Sequence, residues 1–173
     1  MWQESTDSAR EIIRQLDLIP HPEGGFYRET FASHLLIRHP AITDETHVER
    51  PAMTQIYFLL EAGDFSSFHR VRSDETWHLY GGGPLELHFI TQQGDYERRV
   101  LGLDLLAGEE PQITIRANSW QGARPALGAR FALCGCTVAP GFDFADFSLG
   151  GRHELVVMFP GHGKIIRELT RDP

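Results

Sequence analysis

Several features that would classify a chain at a glance are scarce here. Two cysteines in 173 residues exclude a disulfide-stapled secreted scaffold. Both stand in Leu133-Cys134-Gly135-Cys136-Thr137. A strand there points them the same way and a bridge between them would be strained, so they read as two reduced core thiols, not a redox pair. No apolar run approaches the ~20 residues of a membrane span. The first eight residues, Met1 to Ser8, have neither the basic start nor the apolar stretch of a signal peptide. A cytoplasmic address with no membrane partner is the expectation. Basic runs are also missing. Lys plus Arg number 16 against 24 Asp plus Glu, 16 − 24 = −8, and Arg98-Arg99 is an isolated pair. Nucleic acid is therefore excluded as a partner, because affinity for phosphate backbones comes from clustered cations. With no repeat, low-complexity segment or linker, residues 1–173 read as a single domain that can bury one core without staples.

What is present is a dense succession of short strand signals. Ser8-x-x-Glu11 before Ile12, Ile13 and Leu16 has the form of a capping box opening an amphipathic helix, which should end near Leu18 ahead of Pro20 and Pro22. The turn His21-Pro22-Glu23-Gly24-Gly25 leads into a strand from Phe26 to Phe31. The stretch from His34 to Pro51 is polar and bounded by prolines, as in a mobile loop or lid. Strands are expected at 53–60, 65–71, 76–80, 85–91, 96–101, 112–116 and 130–138, separated by turns such as Gly81-Gly82-Gly83 and Gln93-Gly94-Asp95. That spacing predicts an all-β antiparallel sandwich or barrel. The tail from Gly151 to Thr170 reads as two short helices interrupted by Pro160.

Gly63-x5-His69-x-Val71-x3-Glu75-x6-Gly82 resembles the first signature of the cupin superfamily, with Val71 in place of the second histidine. The second signature falls on Ala117 to Gly122, where its proline, glycine and histidine are all replaced. His21-Pro22-Glu23-Gly24-Gly25-Phe26-Tyr27-Arg28-Glu29-Thr30, Ile56 to Leu60, Phe68-His69-Arg70, Ser73 to His78 and Val138 to Phe144 together resemble a group of small, divergent, single-domain cupins, nearly end to end. The resemblance implies a double-stranded β-helix, or jelly roll, with an N-terminal helix and short C-terminal helices. It also implies a homodimer, with the strand from Phe26 to Phe31 crossing or pairing at the interface.

Metal cupins enclose Fe, Mn, Ni or Zn with two histidines at i and i+2, a glutamate and a distant histidine. Val71 and Gly122 supply no ligand here. His69 and Glu75 remain as the two metal-ligand candidates, and two protein ligands hold a transition metal weakly. His78 or His88 could complete a divalent site, His78 only if a bulge turned it to the same side as Glu75. The expectation is no cofactor and far less than one metal per chain.

His69 and Glu75 can instead perform acid–base chemistry directly. Cupin-type sugar epimerases pair a histidine base with a tyrosine acid, and Tyr57 and Tyr80 are nearest in sequence, so Tyr57 enters as the candidate acid. Arg28 would either clamp a carboxylate or phosphate in the pocket or pair with Glu29 or Glu75. Trp77 and Trp120 would line the cavity or pack in the core. The histidines in polar segments, His21 among them, show no ligand spacing. The leading reading is a small-molecule-binding cupin acting by metal-independent, epimerase- or isomerase-like proton transfer on a sugar-like or carboxylate ligand. A non-catalytic ligand-binding or interaction domain and a metal-dependent oxygenase or isomerase are the alternatives.

Overall fold

The computed structural model describes residues 6–38 and 48–171. Helix α1 (Thr6–Gln15) begins ahead of the expected cap, so Ser8 lies inside it. Glu11 accepts from Arg14 and Gln15, each at 2.6 Å. Asp17, at φ 49°, turns the chain out of the helix before Pro20.

Strands β1 (Ile19–Pro20), β2 (Phe26–Ala32), β5 (Thr54–Glu61), β7 (Asp74–Gly82), β10 (Gln112–Ile115) and β12 (Phe131–Ala139) form a sheet in the order β1-β2-β5-β12-β7-β10. A second sheet joins β6 (Ser66–Val71), β8 (Leu85–Ile90), β9 (Tyr96–Leu101), β11 (Trp120–Pro125) and β13 (Phe147–Leu149) in the order β13-β6-β11-β8-β9. Every ladder between these strands is antiparallel. The expected barrel is there, with β11 as an addition that Gly122 and Pro125 hide from the pattern. At the ends of the expected lid, β3 (Leu36–Arg38) pairs with β4 (Glu49–Pro51); residues 39–47 lie outside the described ones. Helices α2 (Arg152–Met158) and α3 (Gly163–Glu168) form the tail as read from the sequence.

The two sheets face each other across a core that includes Phe58, Leu60, Trp77, Leu87, Ile113, Cys134 and Cys136. Both cysteines are buried, unbridged and on that same inner side, and burial pushes the Cys134 thiol up. The outer faces are covered as well. Ala9, Ile12 and Leu18 pack on Leu59, Phe131 and Leu133 behind the six-stranded sheet. Leu155, Ile166 and Leu169 pack on Phe68, Ile90 and Trp120 behind the other. A strand covered on both faces reads as a continuous apolar run, as Phe58-Leu59-Leu60 does.

Two local devices shape the inner surface. Gln121 faces His69 while Ala123 faces Ser66, so β6 takes three steps to the two of β11. This bulge lets Ser66 and His69, three residues apart, approach to 3.5 Å between Oγ and Nδ1. The second device is the turn at Gly24-Gly25. Gly25, at φ 69°, has its amide 2.9 Å from Asp64 Oδ2. A Cβ there would stand 2.6 Å from the Leu59 carbonyl oxygen. Gly25→Ala should therefore cost about 2 kcal/mol or more of stability, from left-handed strain plus the clash. Urea denaturation checks it, and an unchanged midpoint would show that the turn relaxes freely.

Candidate functional site

The segment between β1 and β2 is a tight turn pressed on the mouth of the barrel. The His21 amide donates to the Gly25 carbonyl at 2.9 Å and the Gly24 amide to the His21 carbonyl at 3.0 Å. From outside, the Arg171 guanidinium donates to the Glu23 carbonyl and to Ser67 Oγ, and reaches Asp64 Oδ1 at 2.7 Å. The Ser67 amide donates to that same Glu23 carbonyl at 2.8 Å. With its backbone fixed on β6, the Glu23 side chain enters the barrel.

There it meets a cavity of about 430 Å³, within the range of small-molecule sites. The lining carries the carboxyl groups of Glu23 and Glu75, the imidazoles of His21 and His69, and an aromatic and apolar wall with Tyr27, Phe58, Phe142 and Phe144. Glu23 Oε1 accepts from Ser66 Oγ at 2.7 Å. Its Oε2 lies 3.3 Å from His21 Nδ1 and 3.4 Å from His69 Nδ1. His69 Nδ1 is 2.9 Å from the Ser67 carbonyl oxygen, which can only accept, so this nitrogen holds the proton. Nε2 is then the basic lone pair and has no protein hydrogen bond among the described residues. Glu75 Oε2 accepts from Gln121 Nε2 at 2.5 Å, and Gln121 Oε1 accepts from Trp77 Nε1 at 3.1 Å.

Burial governs the titration of all four groups. Desolvation raises Glu23 to about 8, against the opposing Ser66 hydrogen bond and the Arg171 charge. It also raises Glu75, with the charge of His69 pulling the other way and that of Glu23 adding to the rise. Desolvation lowers His21 to about 4 and lowers His69, the latter opposed by Glu75. At neutral pH the cavity holds neutral imidazoles beside a protonated Glu23.

The structure brings His69 and Glu75 to this cavity together, and it removes most of the other expected partners. Tyr57 alternates with Ile56 and Phe58 on β5 and points outward, its ring 6.1 Å from that of Tyr80 and its flank against α1. Arg28 alternates with Tyr27 and Glu29 and also points outward. It lies 5.7 Å above the Tyr57 ring and 3.6 Å from Asp17, so it is neither the clamp nor the partner of Glu29 or Glu75. Strand β7 is regular from Asp74 to Leu79, with no bulge to turn His78 inward, and that ring bonds Thr137 at 3.2 Å on the outside. His88 faces away from the cavity, 2.8 Å from the Tyr96 hydroxyl and 3.4 Å from Glu86. Trp120 packs beneath the C-terminal helices with Arg70 over its ring at 4.8 Å. Trp77 is in the inner core below the cavity and holds Gln121 in place.

Sequence reading missed Glu23, His21 and Gln121. The first two stand in a motif that was recognised for its glycines and prolines, and no periodicity says where side chains of a turn point. Gln121 would follow from strand alternation once β11 is recognised. The residue aligned with the lost ligand, Gly122, is on the outer side, where a Cβ would meet Leu169 at 3.4 Å.

The donor set does not fit a metal. No three His, Cys, Asp or Glu side chains among the described residues converge on a point that would hold one. Val71 lines the cavity where a second histidine would be, and Gln121 is committed to both Glu75 and Trp77.

The raised Glu23 pKa makes folding depend on pH. Between about 4.5, the reference value, and about 8 the folded state holds a proton that the unfolded chain has released, so this group's contribution falls as pH rises. Glu23→Gln should flatten that limb, gaining stability relative to the parent at pH about 8 compared with pH about 5. Denaturant midpoints at the two pH values test this, and an equal difference at both would show that Glu23 ionises normally.

Residues 10–150 match the family model described as cupin superfamily (DUF985). The uncharacterised protein YML079W of Saccharomyces cerevisiae is 26% identical over 162 residues, covering 88% of this chain and 80% of the yeast protein. The solved structure of protein SO0799 from Shewanella oneidensis is 36% identical with a TM-score of 0.83, covering 99% of each chain. A hypothetical protein from Leishmania major is 33% identical with a TM-score of 0.86, covering 95% of this chain and 99% of that one. With most of its length matching that family and its two sheets arranged as a jelly roll, the chain belongs to the DUF985 group of the cupin superfamily.

Proposed function

We propose that this cupin binds a small sugar-like molecule in the 430 Å³ cavity and transfers a proton on it without a metal. One observation carries the reading. His69 is buried, its Nδ1 proton is committed to the Ser67 carbonyl, and its Nε2 remains basic in the cavity that also holds the Glu75 carboxyl. Nε2 removes a proton from a carbon beside a carbonyl, and the electron pair of the broken C–H bond moves toward the carbonyl. Glu75, which burial drives toward its protonated form, donates to the carbonyl oxygen, giving an enediol. His69 then returns the proton to the neighbouring carbon while the hydroxyl on the first carbon gives its proton to Glu75 and becomes the new carbonyl, which yields the isomer and restores both side chains. Gln121 orients Glu75, and Trp77 orients Gln121. The carboxylate alternative lacks support, since no Arg or Lys lines the cavity among the described residues.

His69→Asn retains an N–H for the Ser67 carbonyl but no base. Incubation of a panel of aldoses and ketoses in deuterium oxide should give solvent deuterium at the carbon beside the carbonyl with the parent protein. The variant should lose about 100-fold or more of that exchange. Exchange unaffected by the variant would overturn the role of His69. Ligand binding with no exchange in either protein would replace catalysis by the non-catalytic binding reading.

The homodimer also stands as a proposal. β2 pairs with β5 of its own chain along one side, while β1 covers only Phe26 and Tyr27 on the other. That leaves an edge from Arg28 to Ala32 for a second copy. Light scattering at micromolar concentration should give twice the 19.6 kDa chain mass; a mass of one chain would reject it.

A further inference from the structure

Charge is distributed one-sidedly around the cavity. Glu23, Glu29, Glu75 and Asp143 line it, and no arginine or lysine does among the described residues. The nearest guanidinium groups are occupied elsewhere. Arg50 is bound to Asp146 at 2.7 Å and also pairs with the exposed Asp143 at 3.8 Å, which leaves Glu23 and Glu75 as the unpaired carboxyls; Arg28 lies outside the sheet, and Arg171 grips the turn through its backbone. Glu23 and Glu75 are each more than nine-tenths buried, and the side-chain donors that reach them, Ser66 and Gln121, are neutral. The titratable groups facing Glu75 are His69 from β6, Glu23 from the turn and Cys136 from β12. Those facing Glu23 are His21 and His69, with Arg171 behind it.

A buried carboxyl with no cation either stays protonated or bears the desolvation of its charge, and an incoming cation relieves both. The rest of the wall suits the same guest. His21 and Phe144 stack at 5.9 Å, Phe142 meets Phe144 edge-on at 5.0 Å, and Tyr27 meets His21 edge-on at 4.6 Å. Aromatic faces attract a cation through their quadrupole and accept the carbon skeleton that bears it. The unpartnered His69 Nε2, on a side chain only 2% exposed, adds a hydrogen-bond acceptor for an N–H or O–H.

We propose that the ligand of this cavity carries a protonated amine, held by Glu23 and Glu75 with its carbon skeleton on the aromatic wall. This rests on the cavity being the ligand site and narrows the sugar-like class to its amine-bearing members. Anionic ligands, such as sugar phosphates and carboxylates, are rejected by the same carboxyl groups. Binding of the ammonium favours an ionised Glu23 and expels its proton, while Glu75 keeps the proton it donates to the carbonyl. Affinity therefore rises with pH while Glu23 is still protonated in the free protein, up to about 8.

Three probes of matched size separate charge from shape: n-propylammonium, n-propanol and propionate, titrated into the full chain and followed by amide 1H–15N spectra. Propylammonium should shift the amides of the Glu23 turn and of β6 and β7 saturably, about tenfold more tightly at pH about 8 than at about 6. Propanol should bind about tenfold or more weakly, with no such pH dependence. Glu23→Gln should weaken the ammonium and remove its pH dependence, and should weaken propanol far less. Propionate or propanol binding as well as the ammonium would overturn the charge assignment while leaving the cavity a ligand site. Failure of all three to move cavity amides would reject both the amine and the cavity as the site.

Discussion

A carboxyl group inside a protein needs a cation, a set of hydrogen-bond donors, or a proton of its own, and this barrel is organised around two carboxyls that no arginine or lysine side chain among the described residues contacts. Glu75 receives an amide N–H from Gln121, which Trp77 fixes from below. Glu23 receives a hydroxyl from Ser66 and lies between two imidazole nitrogens. Neither arrangement compensates a full negative charge, so desolvation dominates and both groups are driven toward the protonated form. The neutral state of His21 and His69 follows from the same burial. The acid, the base and the ligand preference proposed for this site thus share one physical origin.

Keeping Glu23 inside requires holding its backbone from outside. The turn carrying it is pinned by the Arg171 guanidinium and the Ser67 amide on one carbonyl, and by Asp64 on the amide of Gly25. Two glycines at positive φ let the chain lie this close to β5 and β6. The C-terminal segment therefore has a role in the site despite contributing no side chain to the cavity. Its helices cover the outer face of β6 and β11, and the residue beyond them fastens the turn at the mouth.

Because both sheets are covered on both sides, the usual guide to orientation loses its force. In β5, Tyr57 and Phe58 are both large aromatic residues, and only parity against neighbouring strands shows that Phe58 faces the cavity. The same holds for Trp77 and Trp120, one in the inner core and the other beneath the tail helices. One-residue differences in register separate Gln121 from Gly122 and Glu29 from Arg28, and each difference decides whether the cavity receives an amide, a carboxylate, a guanidinium or nothing. This is why Tyr57 and Arg28, the acid and the clamp expected from the sequence, point away from the cavity while Glu23 and Glu75 enter it.

The strand succession, the flanking helices, the pair of reduced cysteines and the inward placement of His69 with Glu75 were all legible in the sequence, because they depend on local periodicity and short motif spacing. The motifs around His21-Pro22-Glu23, Tyr27-Arg28-Glu29 and Phe142-Asp143-Phe144 were visible as words but not as a surface. Their convergence on one cavity depends on contacts between residues dozens to more than a hundred positions apart, such as Gly25 with Asp64 and Glu23 with Arg171. Where a turn aims its side chains is set by what its backbone binds, and a bulge such as that in β6 shifts parity without a mark in composition. Only the tertiary structure decided that Glu23 and Glu75 are buried together with no arginine or lysine beside them among the described residues.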